Sequence, residues 1–252
     1  MDALEALGTH RKSVVLVGAQ AIYLQVGEGD LAVSPYTTDG DLAIDPRDLD
    51  DEPALAAALE AVGFELTVRP GTWSMSKVHI DLLVPASLGG PGRRVARLGV
   101  HGNEVARKAT GLEAAVVDCA LHQIRALDPG DARSFDVAVA GVASLLVAKL
   151  HKIADRSDSI DRRQDKDGLD VLRVLRFCEA DKLGETLSAL EKHPLAGDVS
   201  RQARVFLDEL FGHRDALGAQ MAAWASVGLE DDMAIRISCE VLARGLLRAW
   251  NT

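Results

Sequence analysis

Aromatic residues are scarce in this chain, at only 4% of 252 residues, so Leu, Val and Ala must build most of its core. No low-complexity tract interrupts the sequence, and 48% of its residues are hydrophobic, which is typical of a globular protein. A chain of this length forms either one large domain or two modest ones.

Cysteines are also few: Cys119, Cys178 and Cys239 lie far apart and form no CxxC spacing, which argues against a zinc site. A sparse, odd set of cysteines is typical of a reducing compartment. The N-terminus has no hydrophobic region of a secretory signal, and the longest apolar stretch, within residues 14–27, is too short to span a bilayer. We therefore expect a cytoplasmic protein with no membrane partner.

An excess of positive charge is missing as well, because the formal net charge is −10. This balance argues against a general, charge-driven nucleic-acid binder, since such proteins are usually basic. Two local basic clusters could still contact nucleic acid, although ordinary solvated charge is the simpler interpretation. The two clusters are Arg93, Arg94, Arg97, Arg107 and Lys108, and Arg162, Arg163 and Lys166.

Residues 1–140 read as a mixture of strands and helices. The β-branched run at 13–17 predicts a buried strand, and Gly18 follows it at a turn into a helix over 19–26. A Gly-, Ser- and Pro-containing loop is predicted over 27–36. Further predicted elements are strands in "DLAIDP", "ELTVRP", "KVHIDLLVP" and "FDVAVAG", a helix in "EPALAAALEAVGF", a hairpin in "RVARLGVHGNEVARKA", and an ambiguous helix or strand in "LEAAVVDCALHQIRAL".

Residues 141–252 carry five helical patterns and no convincing strand. In 142–156, for example, Leu145, Leu150 and Ile153 recur at helical spacing. We therefore predict an α+β chain, with a mixed-sheet core over residues 1–140 followed by an all-α helical domain over 141–252.

Three carboxylates on the predicted strands are the candidates for chemistry. Asp39 and Asp41 are two residues apart, so their side chains share one face of a strand. Asp81 lies on another strand among apolar neighbours. Close carboxylates repel each other unless a cation or a proton neutralises them, and Mg²⁺ suits such a set. If the strands are neighbours, these acids could hold metal; otherwise Asp39-Gly40-Asp41 is ordinary turn chemistry and Asp81 a solvated residue.

Gly18 adds a separate signal, because a glycine at a strand-to-helix turn lets a phosphate approach backbone amides at the helix N-terminus. The order of strand, Gly18, helix, Asp39, Asp41, strand and Asp81 resembles the nucleotidyltransferase superfamily with the polymerase-beta-type core. Gly18-Ala19 occupies the place of the family's small-residue pair, with Ala19 where the family usually has Gly or Ser. The resemblance implies nucleotide binding by Gly18 and Ala19 and metal binding by Asp39, Asp41 and Asp81.

The helical half resembles the AbiEii-type nucleotidyltransferases, which include toxins of toxin–antitoxin systems. In that group a helical Lys precedes an Arg and then a Lys/Arg-Asp-x-x-Asp-Leu helix. Here these positions are Lys149, Arg156 or Arg163, and Lys166-Asp167-x-x-Asp170-Val171. The resemblance implies that Lys149 contacts nucleotide phosphates, with Lys152 as its rival, and that Asp167 supports the site. The plainer alternatives are a surface lysine and acids on a solvent face.

The resemblance implies a nucleotidyltransferase that uses Mg²⁺ or Mn²⁺ and an NTP, with Asp81, Lys149 and Asp167 as catalytic residues. The acceptor hydroxyl would belong to tRNA or a protein, and an antitoxin would be a partner of a toxin of this kind. Two other functions stay open at this point: nucleotidyl transfer to a small molecule such as an aminoglycoside, and a non-catalytic nucleotide-binding module.

Overall fold

The structure, a computed structural model, describes residues 1–27, 39–126, 128–159 and 164–251. Its N-terminal part is a mixed sheet with helices, and its C-terminal part is a run of helices, which confirms the predicted fold class. The described residues divide into a first unit of 1–21, 39–126 and 128–140, and a second of 22–27, 141–159 and 164–251. Residues 22–27 thus group with the helical unit, whereas the sequence analysis placed them in the mixed-sheet core over residues 1–140.

The described part of the first unit contributes eight strands to one sheet, in the order β3-β4-β5-β2-β1-β8-β7, with β6 also paired to β5. The strands are β1 (Val14–Val17), β2 (Asp39–Ile44), β3 (Glu65–Leu66), β4 (Thr72–Met75), β5 (Val78–Pro85), β6 (Arg107–Ala109), β7 (Cys119–Arg125) and β8 (Ser134–Ala140). The α-helices described in the N-terminal part are α1 (Asp2–Ala6), α2 (Gly18–Val26), α3 (Leu55–Glu60) and α4 (Leu112–Ala115), and Gly8–Ser13 and Gly99–His101 are 3₁₀ helices.

Strand β1 lies inside the sheet because all four of its residues are apolar and buried. It pairs antiparallel with β2 and parallel with β8, and β2 pairs parallel with β5. Leu16, Leu42 and Leu82 are successive neighbours across β1, β2 and β5, and all three are buried. The opposite face of β2 and β5 therefore carries Asp39, Asp41 and Asp81.

The hairpin predicted over 94–109 is formed in part. Val95 and Arg107 form an antiparallel bridge, flanked by hydrogen bonds from the amide of Lys108 to the carbonyl of Arg94 and from the amide of Ala96 to the carbonyl of Ala106, but the first arm forms no strand. The second arm becomes β6 because it pairs parallel with β5, a long-range contact that local sequence does not reveal. Strand β4 was missed for the same reason, since Thr72–Met75 is a strand by virtue of its pairing with β5. The ambiguous stretch from Leu112 contains both α4 and β7.

The second unit consists of helices packed on one another. They are α5 (Val142–Arg156), α6 (Asp165–Phe177), α7 (Ala180–Lys192), α8 (Gly197–Phe211), α9 (Leu217–Ala225) and α10 (Asp232–Trp250). The described residues after 140 thus form six helices where five were predicted. Helix α9 was missed because it is buried over Gly218–Ala219 and Met221–Ala223, so it lacks the alternation of an amphipathic helix.

Within the described ranges, every helix is too short or too polar to cross a bilayer. The predicted loop over residues 27–36 lies almost entirely outside the residues that the structure describes, as do Thr37 and Thr38 before β2 and Arg162 and Arg163.

Candidate functional site

The three predicted carboxylates are brought together on one face of the sheet. Strands β2 and β5 are neighbours, and Asp41 is the direct partner of Asp81 in their parallel register. Asp39 lies two residues before Asp41 and is the partner of His79. Asp39 is exposed and Asp41 and Asp81 are half-buried, so the face that carries them is open to solvent. The condition set by the sequence, that the two strands be neighbours, is met.

Gly18 lies against Asp41 at the junction of β1 and α2. Val17 is the register partner of Asp41, and Gly18 follows as the first residue of α2 with a φ of +73°. A Cβ atom at Gly18 would lie 2.1 Å from Oδ2 of Asp41. Both the backbone conformation and the space therefore require glycine at this position. Ala19 follows within the first turn of α2.

Both oxygens of Asp81 are engaged by neighbouring side chains. The hydroxyl of Thr72 donates to Oδ1 at 2.6 Å, and Nη2 of Arg107 donates to Oδ2 in a short ion pair. The side chain of Asp81 is 23% exposed and that of Arg107 is 33% exposed, so solvent screens the pair only in part. Arg107 is thus a cation held directly beside the acid face, the face of the sheet that carries Asp39, Asp41 and Asp81.

The chemistry of these oxygens fits a hard cation, but the expected three-carboxylate set is not formed. Within the described ranges, no three His, Cys, Asp or Glu side chains are grouped to hold a metal ion. Asp39 and Asp41 offer the oxygen donors that Mg²⁺ prefers. Asp81, which was predicted as a third ligand, is instead bound by Thr72 and Arg107. A metal role for Asp81 stays a prediction, and in this structure Arg107 supplies the positive charge beside this carboxylate.

The residues predicted in the helical half form a second cluster, inside the second unit. Nζ of Lys149, on α5, donates to Oδ1 of Asp167 at 2.7 Å and to Oδ2 of Asp170 at 2.8 Å, both on α6. Lys152, one turn after Lys149, donates to the same Oδ1 of Asp167 at 2.9 Å. Nη1 of Arg173 donates to Oδ1 of Asp170 at 2.8 Å.

Lys149, Asp167 and Asp170 are buried, so the surface alternatives for these three residues are wrong. The side chains of Lys149, Asp167 and Asp170 are 6%, 2% and 0% exposed. Burial opposes the charged form of Lys149, but the two carboxylates outweigh it and raise its pKa above the ordinary value. Burial likewise opposes the charge of Asp167, yet Lys149 and Lys152 hold its pKa below the usual range. The charges neutralise one another and join α5 to α6.

Sequence reasoning did not single out several residues that complete these clusters. Arg107 was noticed only as part of a basic cluster, and Thr72 not at all, because their proximity to Asp81 depends on strand pairing. Arg173 follows Asp170 by three residues, a helical spacing that could have indicated the pair. Its guanidinium lies 5.1 Å from the ring centre of Tyr23, whose pKa is raised by burial and by the charge of Asp170.

Comparisons with known proteins identify no relative of this chain: no family model, no curated protein and no solved structure matches it.

Proposed function

We propose that this chain is a metal-dependent nucleotidyltransferase, which moves an NMP from an NTP to an acceptor hydroxyl and releases pyrophosphate. One observation carries the proposal: Gly18, at the strand-to-helix junction, lies against the carboxylate of Asp41, which is in direct register with Asp81. A backbone approach for phosphates thus lies beside acids that suit a metal.

Each residue of the acid face has a role in the proposed reaction. Asp39 and Asp41 would hold Mg²⁺ or Mn²⁺, which neutralises phosphate charge when bound. Gly18 and Ala19 would let phosphate oxygens approach the first amides of α2. Asp81, a carboxylate in register with Asp41, would either share the metal ion or act as the base for the acceptor hydroxyl.

Lys149 and Asp167 have a structural role in the proposed enzyme, unlike the residues of the acid face. Their side chains are bonded to each other inside the helical unit, and we assign them the role of holding α5 and α6 together. A direct contact between Lys149 and nucleotide phosphates stays a prediction from the resemblance. The residues of the acid face do not identify the acceptor. We therefore test three classes of acceptor separately: tRNA, a protein and an aminoglycoside-like small molecule. A tRNA or protein acceptor would fit a toxin that has an antitoxin partner.

The test incubates the purified protein with each α-labelled NTP, Mg²⁺ or Mn²⁺, and tRNA, protein or aminoglycoside acceptors. We expect label transfer to one acceptor class. Asp39→Asn and Asp41→Asn should each reduce the rate by about 100-fold or more, because each removes a carboxylate that would hold the metal ion, and losing electrostatic stabilisation of the transferring phosphate has effects of this size. Asp51→Asn, an exposed acid in the same unit, is the matched control and should keep full activity.

Transfer that survives the combined Asp39→Asn and Asp41→Asn substitutions would refute the assignment of these two acids. A second function, a non-catalytic nucleotide-binding module, is favoured by one observation, the commitment of Asp81 to Arg107. NTP binding by calorimetry without transfer to any acceptor would support that second function over the first.

A further inference from the structure

Asp41 and Asp81 are neighbouring carboxylates, and their mutual repulsion must be offset even when no ligand is bound. They are direct partners on adjacent parallel strands and point to the same face of the sheet, and both are half-buried. Neighbouring carboxylates in such a place repel each other unless positive charge lies close to them. The cation that meets Asp81 in this structure is the guanidinium of Arg107.

The backbone around Arg107 is built to bring it to Asp81. Gly71 has a φ of +78°, and a Cβ atom there would lie 2.7 Å from both the amide nitrogen of Arg107 and the carbonyl oxygen of Leu82. The amide of Leu82 in turn donates to the carbonyl of Gly71 at 2.7 Å. This close approach lets the strands that carry Thr72 and Arg107 both meet β5 beside Asp81.

We infer that Arg107 is a tethered counter-cation that competes with a divalent metal ion for Asp81. The inference deepens the proposed function and rests on it for the identity of the ligand. Thr72 occupies one oxygen of Asp81 and Arg107 the other, and a guanidinium beside this carboxylate repels an incoming dication. A metal ion held by Asp81 together with Asp41 therefore requires Arg107 to release Asp81, so Arg107 lowers the metal affinity of the acid face.

The test measures Mn²⁺ binding from the free-ion signal in electron paramagnetic resonance, without nucleotide or turnover. We expect Arg107→Gln to bind Mn²⁺ about three- to fivefold more tightly than the wild type, the upper part of the range that corresponds to losing one partly exposed ion pair. Arg107→Lys keeps a cation and should stay within about twofold of the wild type. Arg97→Gln removes an exposed arginine from the segment before β6 and serves as the matched control.

The dependence on Asp81 is tested by combining Arg107→Gln with Asp81→Asn, which should abolish the gain in affinity. Equal or weaker Mn²⁺ binding by Arg107→Gln, or a gain that Arg97→Gln reproduces, would overturn the inference, and so would the absence of Mn²⁺ binding in all variants. A gain without any nucleotidyl transfer would instead leave the inference standing and reject the proposed function, so the two failures are distinguishable.

A wild-type measurement covers the case in which Arg107→Gln does not fold. The side-chain Nε–H signal of Arg107 is assigned in an NMR spectrum by its loss in Arg107→Lys and is then followed during a Mg²⁺ titration. We expect a saturable shift as the guanidinium leaves Asp81. A signal that stays in place over the whole titration contradicts the competition.

Discussion

The acid face of the first unit and the Lys149 cluster of the second unit differ in how their carboxylates are neutralised. In the first unit, Asp39 and Asp41 lie on an open sheet face, and Asp81 beside them is paired with the partly exposed Arg107. In the second unit, Asp167 and Asp170 are buried and bonded to Lys149, which is itself buried. A buried, mutually saturated cluster serves packing, whereas an open acidic face can exchange its counter-cation for a ligand. The first cluster therefore carries the proposed chemistry, although the sequence predicted catalytic roles in both.

The largest expected effect follows from removing Lys149. Lys149→Met leaves two buried carboxylates short of a counter-charge and should lower the free energy of unfolding by about 3–5 kcal/mol. Lys152→Met is the matched control; its side chain is 32% exposed, and it should cost about 1 kcal/mol or less. Urea unfolding followed by circular dichroism gives both values. Equal losses in the two variants would contradict the view that the buried lysine is the centre of the cluster.

Lowering the pH should reduce the difference in unfolding free energy between the wild type and Lys149→Met. Because the folded pKa of Asp167 lies below its unfolded value of about 3.9, its stabilising effect is present above that value and is lost as the pH falls toward the folded pKa. In Lys149→Met the uncompensated carboxylate takes up a proton in acid, which removes its penalty. We expect the difference in unfolding free energy to shrink by about 1–2 kcal/mol between pH 7 and pH 3. A constant difference across this range would argue against the assigned charges.

Gly18→Ala tests the close approach in the first unit. The added Cβ collides with Asp41 and the residue must keep a positive φ, so we expect a loss of about 1–3 kcal/mol in unfolding free energy. Gly102→Ala is the matched control, because Gly102 has a φ of +92° with no atom in the path of a Cβ. Combining Gly18→Ala with Asp41→Ala should recover part of the loss. If Gly18→Ala costs no more than Gly102→Ala, the contact with Asp41 does not constrain this position.

The smallest effect on stability is expected for Asp39→Asn. Asp39 is exposed at the start of β2, so its substitution should change the unfolding free energy by no more than about 0.5 kcal/mol. In the proposed enzyme the same change removes a metal ligand and most of the transfer activity. Stability and transfer assays on one preparation separate the two effects. A large loss of stability would show that Asp39 is structural and would weaken the contrast between the clusters.

Much of the fold was predictable because its elements carry local signals. The buried run of β1, the alternation of β2 and the amphipathic patterns of α5, α6, α7, α8 and α10 each follow from residue order alone. Elements without such a signal were missed. Strand β4 depends on its pairing with β5, and α9 has Gln220 as its single polar side chain, so its sequence shows no polar face. The hairpin prediction holds for the antiparallel pairing of its two arms, but it did not show that β6 also pairs with β5, a strand distant in sequence.

For the candidate site, too, some features follow from local sequence and others depend on tertiary contacts. By itself, the sequence determined which residue types lie at which intervals: a glycine after the first strand, two aspartates sharing one strand face, and a lysine on one helix with two aspartates on the next. Only the tertiary structure decided which charges meet. Strand pairing set Asp41 beside Asp81 and brought Arg107 to it, and helix packing buried Lys149 between Asp167 and Asp170. The reason is physical: periodicity is a local property of the chain, whereas the neutralisation of a charge depends on partners far away in sequence.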